Sequence, residues 1–179
     1  MKMLEGEKIR LRAMEPADLD LLYRWENDPE VWTISNTQTP FSKFILQKFI
    51  ESSPKDIYTE KQLRLMIEDR NTFKTIGIID LFDFDPFHQR IGVGILISEK
   101  ERGKGFAREA IRLVKSYVFG ILQLHQIYCN IMDDNRISME LFTSEGFVVA
   151  GNKRQWIRTA EGFHDEFFLQ CFRNNGEHK

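Results

Sequence analysis

The stretch SEKERGKGFAREAIRLVKSYVFG, Ser98 to Gly120, follows a dense apolar run, IGVGILI (Ile91 to Ile97), and opens into a helical pattern. Phe106, Ala110, Leu113 or Val114, and Tyr117 fall on one face, while Arg108, Glu109, Arg112 and Lys115 fall elsewhere. That period predicts an amphipathic helix. A helix start leaves several N–H groups without partners and carries about half a positive charge. Gly103 and Gly105 leave room to approach those groups, and Arg102, Lys104 and Arg108 add positive charge around them. Strand, Arg-Gly-Lys-Gly turn and helix thus suit a pyrophosphate. RGKGFA is neither GxxxxGK[ST] nor GxGxxG, which fails at Arg108, so neither a P-loop nor the dinucleotide fingerprint is present here. Exposed basic turns are also common, and the turn alone leaves both readings open.

In the preceding strand Ile91, Val93, Ile95 and Ile97 point one way, and Gly92, Gly94 and Leu96 the other. Glycine recurring on one strand face marks the close approach of a ligand or of another backbone; a bulge or tight helix contact is the competing reading. Upstream, EKIRLRA alternates as a first strand, and EPADLDLLYRWENDPEV reads as a helix with Pro16 in its first turn. SKFILQKFIESSP gives a second helix, capped by Ser42 and stopped before Pro54. RLMIED and TIGIIDLFDF form a hairpin around RNTFK, and DPFHQ turns into RIGVGILIS. Downstream, HQIYCNIM is a strand. DDNRISMELFTSEGF is a helix capped by Asp134 or Asn135 and ended by Gly146. FVVAGNKRQWIR and HDEFFLQCF close the chain as two strands joined at TAEG, before a frayed RNNGEHK. These elements predict a single α/β (α+β) domain over residues 1–179, with a mixed, mostly antiparallel sheet of about seven strands and about four helices. The crossover through the helix after Gly105 allows one parallel pairing, between GVGILI and IYCNI.

Composition bounds the function. A length of 179 residues permits a core without disulfides or metal, and a net charge of −2 lacks the basic field of a nucleic-acid binder. Cys129 and Cys171 lie in apolar strand-like runs with no CxxC partner, as reduced core residues of a cytoplasmic protein would. No apolar run is long enough to span a membrane, and MKMLEGEKIRLR lacks the apolar region of a secretory signal. The histidines form no metal-ligand spacing, so no metal is expected. Acids gather between Glu15 and Glu30, with Arg24 the single base, and again at Asp80, Asp83 and Asp85. Each group reads as a solvated face or as an attractive surface for a cation.

Arg102-x-x-Gly105-x-Ala107 resembles the acetyl-CoA pyrophosphate motif, [Q/R]-x-x-G-x-[G/A], of the GCN5-related N-acetyltransferases. IRLRAMEPADLDLLYRWENDPEV resembles the start of the branch holding ribosomal-protein N-terminal and spermidine acetyltransferases. DDNRISMELFTSEGF is similar to that branch's N-x-x-[SA]-x-x-[LI]-[YF]-x-x-x-G-F segment. The resemblance covers nearly the whole chain. It implies acetyl-CoA as cosubstrate, held between two splayed parallel strands. The backbone of Ile95, Leu96 and Ile97 would pair with the pantetheine arm. The N–H groups of Arg102, Gly103, Lys104, Gly105, Phe106 and Ala107 would hold the pyrophosphate. Asn135 would bond the cofactor arm, with Ser138 and Phe142 beside the thioester.

The reaction so implied needs a neutral amine to attack the thioester, a base to take a proton, and a donor for the leaving thiolate. Many members place a tyrosine donor where this chain has Phe142, which cannot donate; Ser138, one turn earlier, is the expected replacement. Many also carry a glutamate base where this chain has Gly92. The nearby carboxylates are Asp80, Asp83 and Asp85. Asp83 is taken as base or amine anchor, and Asp80 with it as substrate-binding; plain surface exposure is the competing reading for both. The expected acceptor is a primary amine: a polyamine, a protein N-terminus or another small amine. The alternative is a catalytically weak CoA-binding sensor or scaffold. Family members are often dimers and sometimes larger rings, and the aromatics of RQWIR and EFFLQCF suit an interface as well as a core.

Overall fold

The computed structural model describes residues 4–29, 31–32, 38–52 and 56–173. Seven strands form one sheet: β1 (Ile9–Arg12), β2 (Leu63–Asp69), β3 (Thr75–Asp85), β4 (Arg90–Ile97), β5 (Gln126–Met132), β6 (Val148–Thr159) and β7 (Gly162–Phe172). Among the described residues the α-helices that accompany them are α1 (Leu19–Glu26), α2 (Lys43–Ser52), α3 (Ile57–Glu60), α4 (Phe106–Gly120) and α5 (Arg136–Ser144). The strand order is β1-β2-β3-β4-β5-β7-β6. All neighbours are antiparallel except β4 and β5. The expected fold class is therefore present, with α3 as an addition. Its single turn is too short to show a hydrophobic period; it forms because Asp56 accepts the N–H groups of Tyr58 (2.8 Å) and Thr59 (3.1 Å). Ser42 caps α2 by accepting from Ile45 N at 3.2 Å. The expected stop at Pro54 and the tail 174–179 lie outside the described residues.

Strand alternation sends two apolar sets to opposite faces of the sheet. Leu65, Ile67, Ile79, Leu81, Ile91 and Val93 join the buried face of α4, namely Phe106, Ala110, Ile111, Val114 and Val118. Met66 and Ile78 meet Leu22 of α1 with Leu46 and Ile50 of α2, and Leu96 packs alongside. The sheet is thus covered on both faces at its β1–β4 half. Arg12 ties the first strand to this frame by pairing with Asp18 (2.7 Å) and Glu68 (2.7 Å). Burial opposes ionisation of Asp18, yet the Arg12 hydrogen bonds and charge hold its carboxyl below the usual range. Cys129 and Cys171 are free and buried, as expected of core residues.

The hairpin β6–β7 turns at Ala160 and Glu161, but the later strand, β7, lies against β5 and leaves β6 at the edge. Leu169 and Cys171 of β7 are buried, whereas Val148, Val149 and Trp156 of β6 are exposed. Hydrophobic burial selects β7 as the inner strand.

Candidate active site

Parallel pairing of β4 with β5 covers only Arg90↔Gln126, Ile91↔Ile127 and Gly92↔Tyr128. Past Gly92 the strands separate, and among the described residues the β4 edge facing β5 has no ladder partner. A cleft of about 470 Å3 opens there. Gly94, Ile95 and Leu96 line it from β4, Cys129 to Met132 from β5, and Asn135, Ser138 and Phe142 from α5. On the α1–α2 side the wall is Glu26, Arg64, Asp80 and Phe82, with Glu166 opposite from β7.

The glycine face of β4 has two explanations. A Cβ on Gly92 would collide with the Phe82 ring, so tight packing fills that position. A glutamate there has no room while Phe82 holds this pose. Gly94 is open: a Cβ there would find only Phe82 Cε1 within 4 Å, at 3.8 Å, and the residue lines the cleft.

Beyond β4 the chain makes the turn expected to hold phosphate. Gly103 (φ 76°) and Gly105 (φ 85°) both adopt the left-handed backbone that favours glycine. A Cβ at Gly103 would meet nothing within 4 Å, so the approach is open. Among the described residues, the N–H groups from Gly103 to Arg108 find no backbone acceptor. Arg102 Nε donates to Ile97 O at 3.1 Å, and Lys104 Nζ pairs with Glu101 at 2.7 Å. Lys8 arrives from the other end of the chain: its Nζ donates to Lys104 O at 3.1 Å, while its backbone N donates to Glu109 at 3.0 Å. No sequence pattern pointed to Lys8. Open approach, unpaired N–H groups and adjacent cations fit an acetyl-CoA pyrophosphate.

Asn135 caps α5 by accepting from Ser138 N at 3.1 Å, which spends its oxygen and leaves its amide NH2 for other partners. The Ser138 hydroxyl has no hydrogen-bond partner among the described residues. Phe142 is buried and meets Phe147 edge-on at 5.0 Å. Ile97 lies outside the cleft lining, in the core. Cys129 lines the cleft, but burial first, and then Cys171, push its thiol up to about 12.

The acidic candidates separate. Asp80 stands in the wall, in register with Gly94 across β3–β4 and with Arg64 across β2–β3. Arg64 grips both Asp80 oxygens, at 2.6 and 2.8 Å, and also pairs with Glu26 Oε1. Burial penalises the Arg64 charge, but Asp80 and Glu26 outweigh that and hold its pKa above the ordinary arginine value. Asp83 is not brought to this cleft. It sits in left-handed backbone (φ 51°) at the β3 bulge, accepts from Tyr128 OH at 3.2 Å, and lines a neighbouring depression with Asp85 and Arg90. Burial and Asp83 push the Tyr128 phenol up to about 12. Among the described residues of the group after Glu15, Asp18 is held by Arg12 and Asp20 by Lys43, and Glu26 stands in the cleft wall. Among the described residues no group of three or more His, Cys, Asp or Glu gathers in a metal-holding arrangement. No helix there is long and apolar enough to cross a membrane.

Residues 8–148 match the family model described as Acetyltransferase (GNAT) domain. The chain belongs to this family. It is an acetyl-CoA-dependent N-acetyltransferase. The enzyme is 29% identical over 147 residues to a spermidine N(1)-acetyltransferase of Vibrio cholerae, covering 82% of this chain and 83% of that one. It is 31% identical over 174 residues, 97% of each chain, to an uncharacterized N-acetyltransferase, p20, of Bacillus licheniformis. A crystal structure of spermidine N-acetyltransferase from Vibrio cholerae, in complex with CoA and spermine, superposes with a TM-score of 0.84 at 24% identity, over 93% of this chain and 96% of that one. That likeness establishes the shared fold.

Proposed function

We propose that the enzyme transfers acetyl from acetyl-CoA to a terminal primary amine of a polyamine of the spermidine class, by direct attack in a ternary complex. The observation that carries this reading is the charge of the cleft wall. Glu26, Arg64 and Asp80 together hold one net negative charge beside the slot between β4 and β5. Such a wall attracts a cationic amine more strongly than a neutral one. Relatives from Vibrio cholerae and Escherichia coli named as spermidine N(1)-acetyltransferases support the same substrate class.

The parts follow from their placement. The N–H groups of Gly103 to Ala107 seat the pyrophosphate, with Arg102 and Lys8 as nearby positive charge. The unladdered edge of β4 at Ile95 and Leu96 pairs with the pantetheine arm, and the Asn135 amide bonds that arm. Asp80, level with Gly94, orients the incoming amine at the slot. The neutral amine nitrogen attacks the thioester carbonyl to form the C–N bond, the C–S bond breaks to release CoA as thiolate, and the proton shed by the nitrogen passes to solvent water, from which the thiolate regains one. Ser138 supplies the donor for the leaving sulfur that Phe142 cannot supply. An acyl-enzyme route through Cys129 is disfavoured because a thiol pushed up to about 12 yields almost no thiolate near neutral pH.

Thiol release from acetyl-CoA over an amine panel tests the reading. Spermidine and spermine should give the highest kcat/KM. Faster turnover of N-terminal peptides or small monoamines by tenfold or more would remove the polyamine assignment.

A further inference from the structure

A turn that seats a phosphate must aim its N–H groups at the ligand and keep its carbonyls away. The glycines that open the turn before α4 also leave that choice loose. A half-turn of the Lys104–Gly105 peptide changes ψ of Lys104 and φ of Gly105, and glycine accepts φ of either sign. The reversed peptide would put the Lys104 carbonyl where the Gly105 N–H now points, a repelling acceptor in place of a donor. Lys8 selects between the two. Its Nζ donates to Lys104 O at 3.1 Å. The peptide is trans, so its C=O and N–H point in opposite directions. Holding Lys104 O toward Lys8 therefore turns the Gly105 N–H away from it, and that N–H has no backbone acceptor among the described residues. A Cβ on Gly105 would meet Lys8 Nζ at 3.5 Å, which places the ammonium directly against this peptide.

Lys8 is itself a fixed post. Its N–H donates to Glu109 Oε1 at 3.0 Å, and its carbonyl accepts from Arg70 N at 2.9 Å. Ile9, the next residue, is fully buried and opens β1. A Cβ on Gly6 would overlap the Glu109 carboxylate, so glycine lets this segment lie close against the first turn of α4. The same contact draws an acid of that turn onto the N-terminal segment. The ammonium of Lys104 pairs with Glu101 at 2.7 Å and does not reach its own loop carbonyl. We propose that Lys8 is a positioning residue for acetyl-CoA, locking the Lys104–Gly105 peptide with its N–H toward the pyrophosphate. This rests on the pyrophosphate seat proposed above. Lys8 takes no part in the transfer of acetyl.

The test is isothermal titration calorimetry of the full chain with CoA and with dephospho-CoA, in wild type, Lys8→Met and Lys8→Arg. The side chain is exposed, so neither substitution disturbs the core. Lys8→Met should raise both Kd values by about fivefold to tenfold, the effect of losing a hydrogen bond from a charged group. The factor should be the same for the two ligands, because both carry the pyrophosphate. Lys8→Arg keeps a charged donor and should stay within about threefold of wild type. In NMR spectra of labelled protein, the Gly105 amide proton should move downfield on saturation with CoA, and that shift should shrink in Lys8→Met. An unchanged Kd in Lys8→Met overturns the proposal. So does a loss confined to CoA and spared with dephospho-CoA, which would assign Lys8 to the ribose phosphate. A loss of affinity with an unaltered Gly105 shift also overturns it, since Lys8 would then act only as a charge. Failure of the wild type to bind CoA would sink the seat and Lys8 with it; wild-type binding with an unchanged Lys8→Met sinks Lys8 alone.

Discussion

Arg64→Met is the substitution whose consequence is most closely fixed by the structure. Arg64 stands between two carboxylates, with its side chain 17% exposed, against 9% for Glu26 and 32% for Asp80. Methionine keeps much of the volume and the contact with Phe49, whose ring centre lies 5.4 Å from the guanidinium carbon. What it loses is the cation. Two acids then face one another without compensation, one of them almost dry. Removing one partner of a buried pair costs about 3–5 kcal/mol. Asp80 is a third exposed and partly screened by water, which discounts its share. We expect a loss of about 3 kcal/mol, which would lower the urea midpoint by about 1 M for an m-value near 2–3 kcal/mol/M. The triple variant Glu26→Gln, Arg64→Met, Asp80→Asn removes the stranded charges and should recover at least half of that loss. Urea unfolding followed by tryptophan fluorescence and circular dichroism measures both. A loss below about 1 kcal/mol in the single variant, or no recovery in the triple, would refute the reasoning.

Ser138→Ala should lower kcat by about tenfold, the worth of one hydrogen bond to a charged sulfur, with the acetyl-CoA KM unchanged; stopped-flow thiol release separates the two. Asn135→Ala removes the cap on Ser138 N and should cost about 1 kcal/mol of stability while raising the acetyl-CoA KM. His164 bonds Asp133 at 2.9 Å, which raises the imidazole pKa and lowers that of the carboxyl. The histidine contribution is full below its ordinary value near 6.5 and is lost as pH rises through the raised folded value. Asp133 stays ionised across that window. The Tm advantage of wild type over His164→Gln should therefore shrink between pH 6 and 8.5, and a constant difference would count against the pair.

The stretch proposed to hold the cofactor was legible because its features are local. Gly103, Gly105 and the first turn of α4 are contiguous, and the N–H groups they expose follow from helix geometry alone. The cap at Asn135 and the left-handed Gly146 (φ 88°) are likewise short-range features, written within a few residues. The acceptor half was not legible in the same way. Glu26, Arg64 and Asp80 come from α1, β2 and β3, and nothing in the sequence around Glu26 distinguishes it from Asp20, which pairs at the surface with Lys43. Sequence alone favours Asp83, three residues beyond Asp80, as base or amine anchor. The bulge between Phe82 and Asp85 breaks the simple alternation and turns Asp83 to Tyr128 instead.

The sequence by itself determined the elements, the glycine turn that suits a phosphate and the helix caps, because each depends on spacing within one turn or one strand. It also supplied two meanings for the glycines of β4, and the structure divides them: Gly92 accommodates the Phe82 ring, while Gly94 opens on the cleft. Tertiary structure alone decided where β4 and β5 part, that β7 rather than β6 joins β5, and which acids reach the cleft. These are long-range outcomes. They follow from which apolar faces must be buried against one another, and a buried carboxylate acquires its role only from the charges that this burial places beside it.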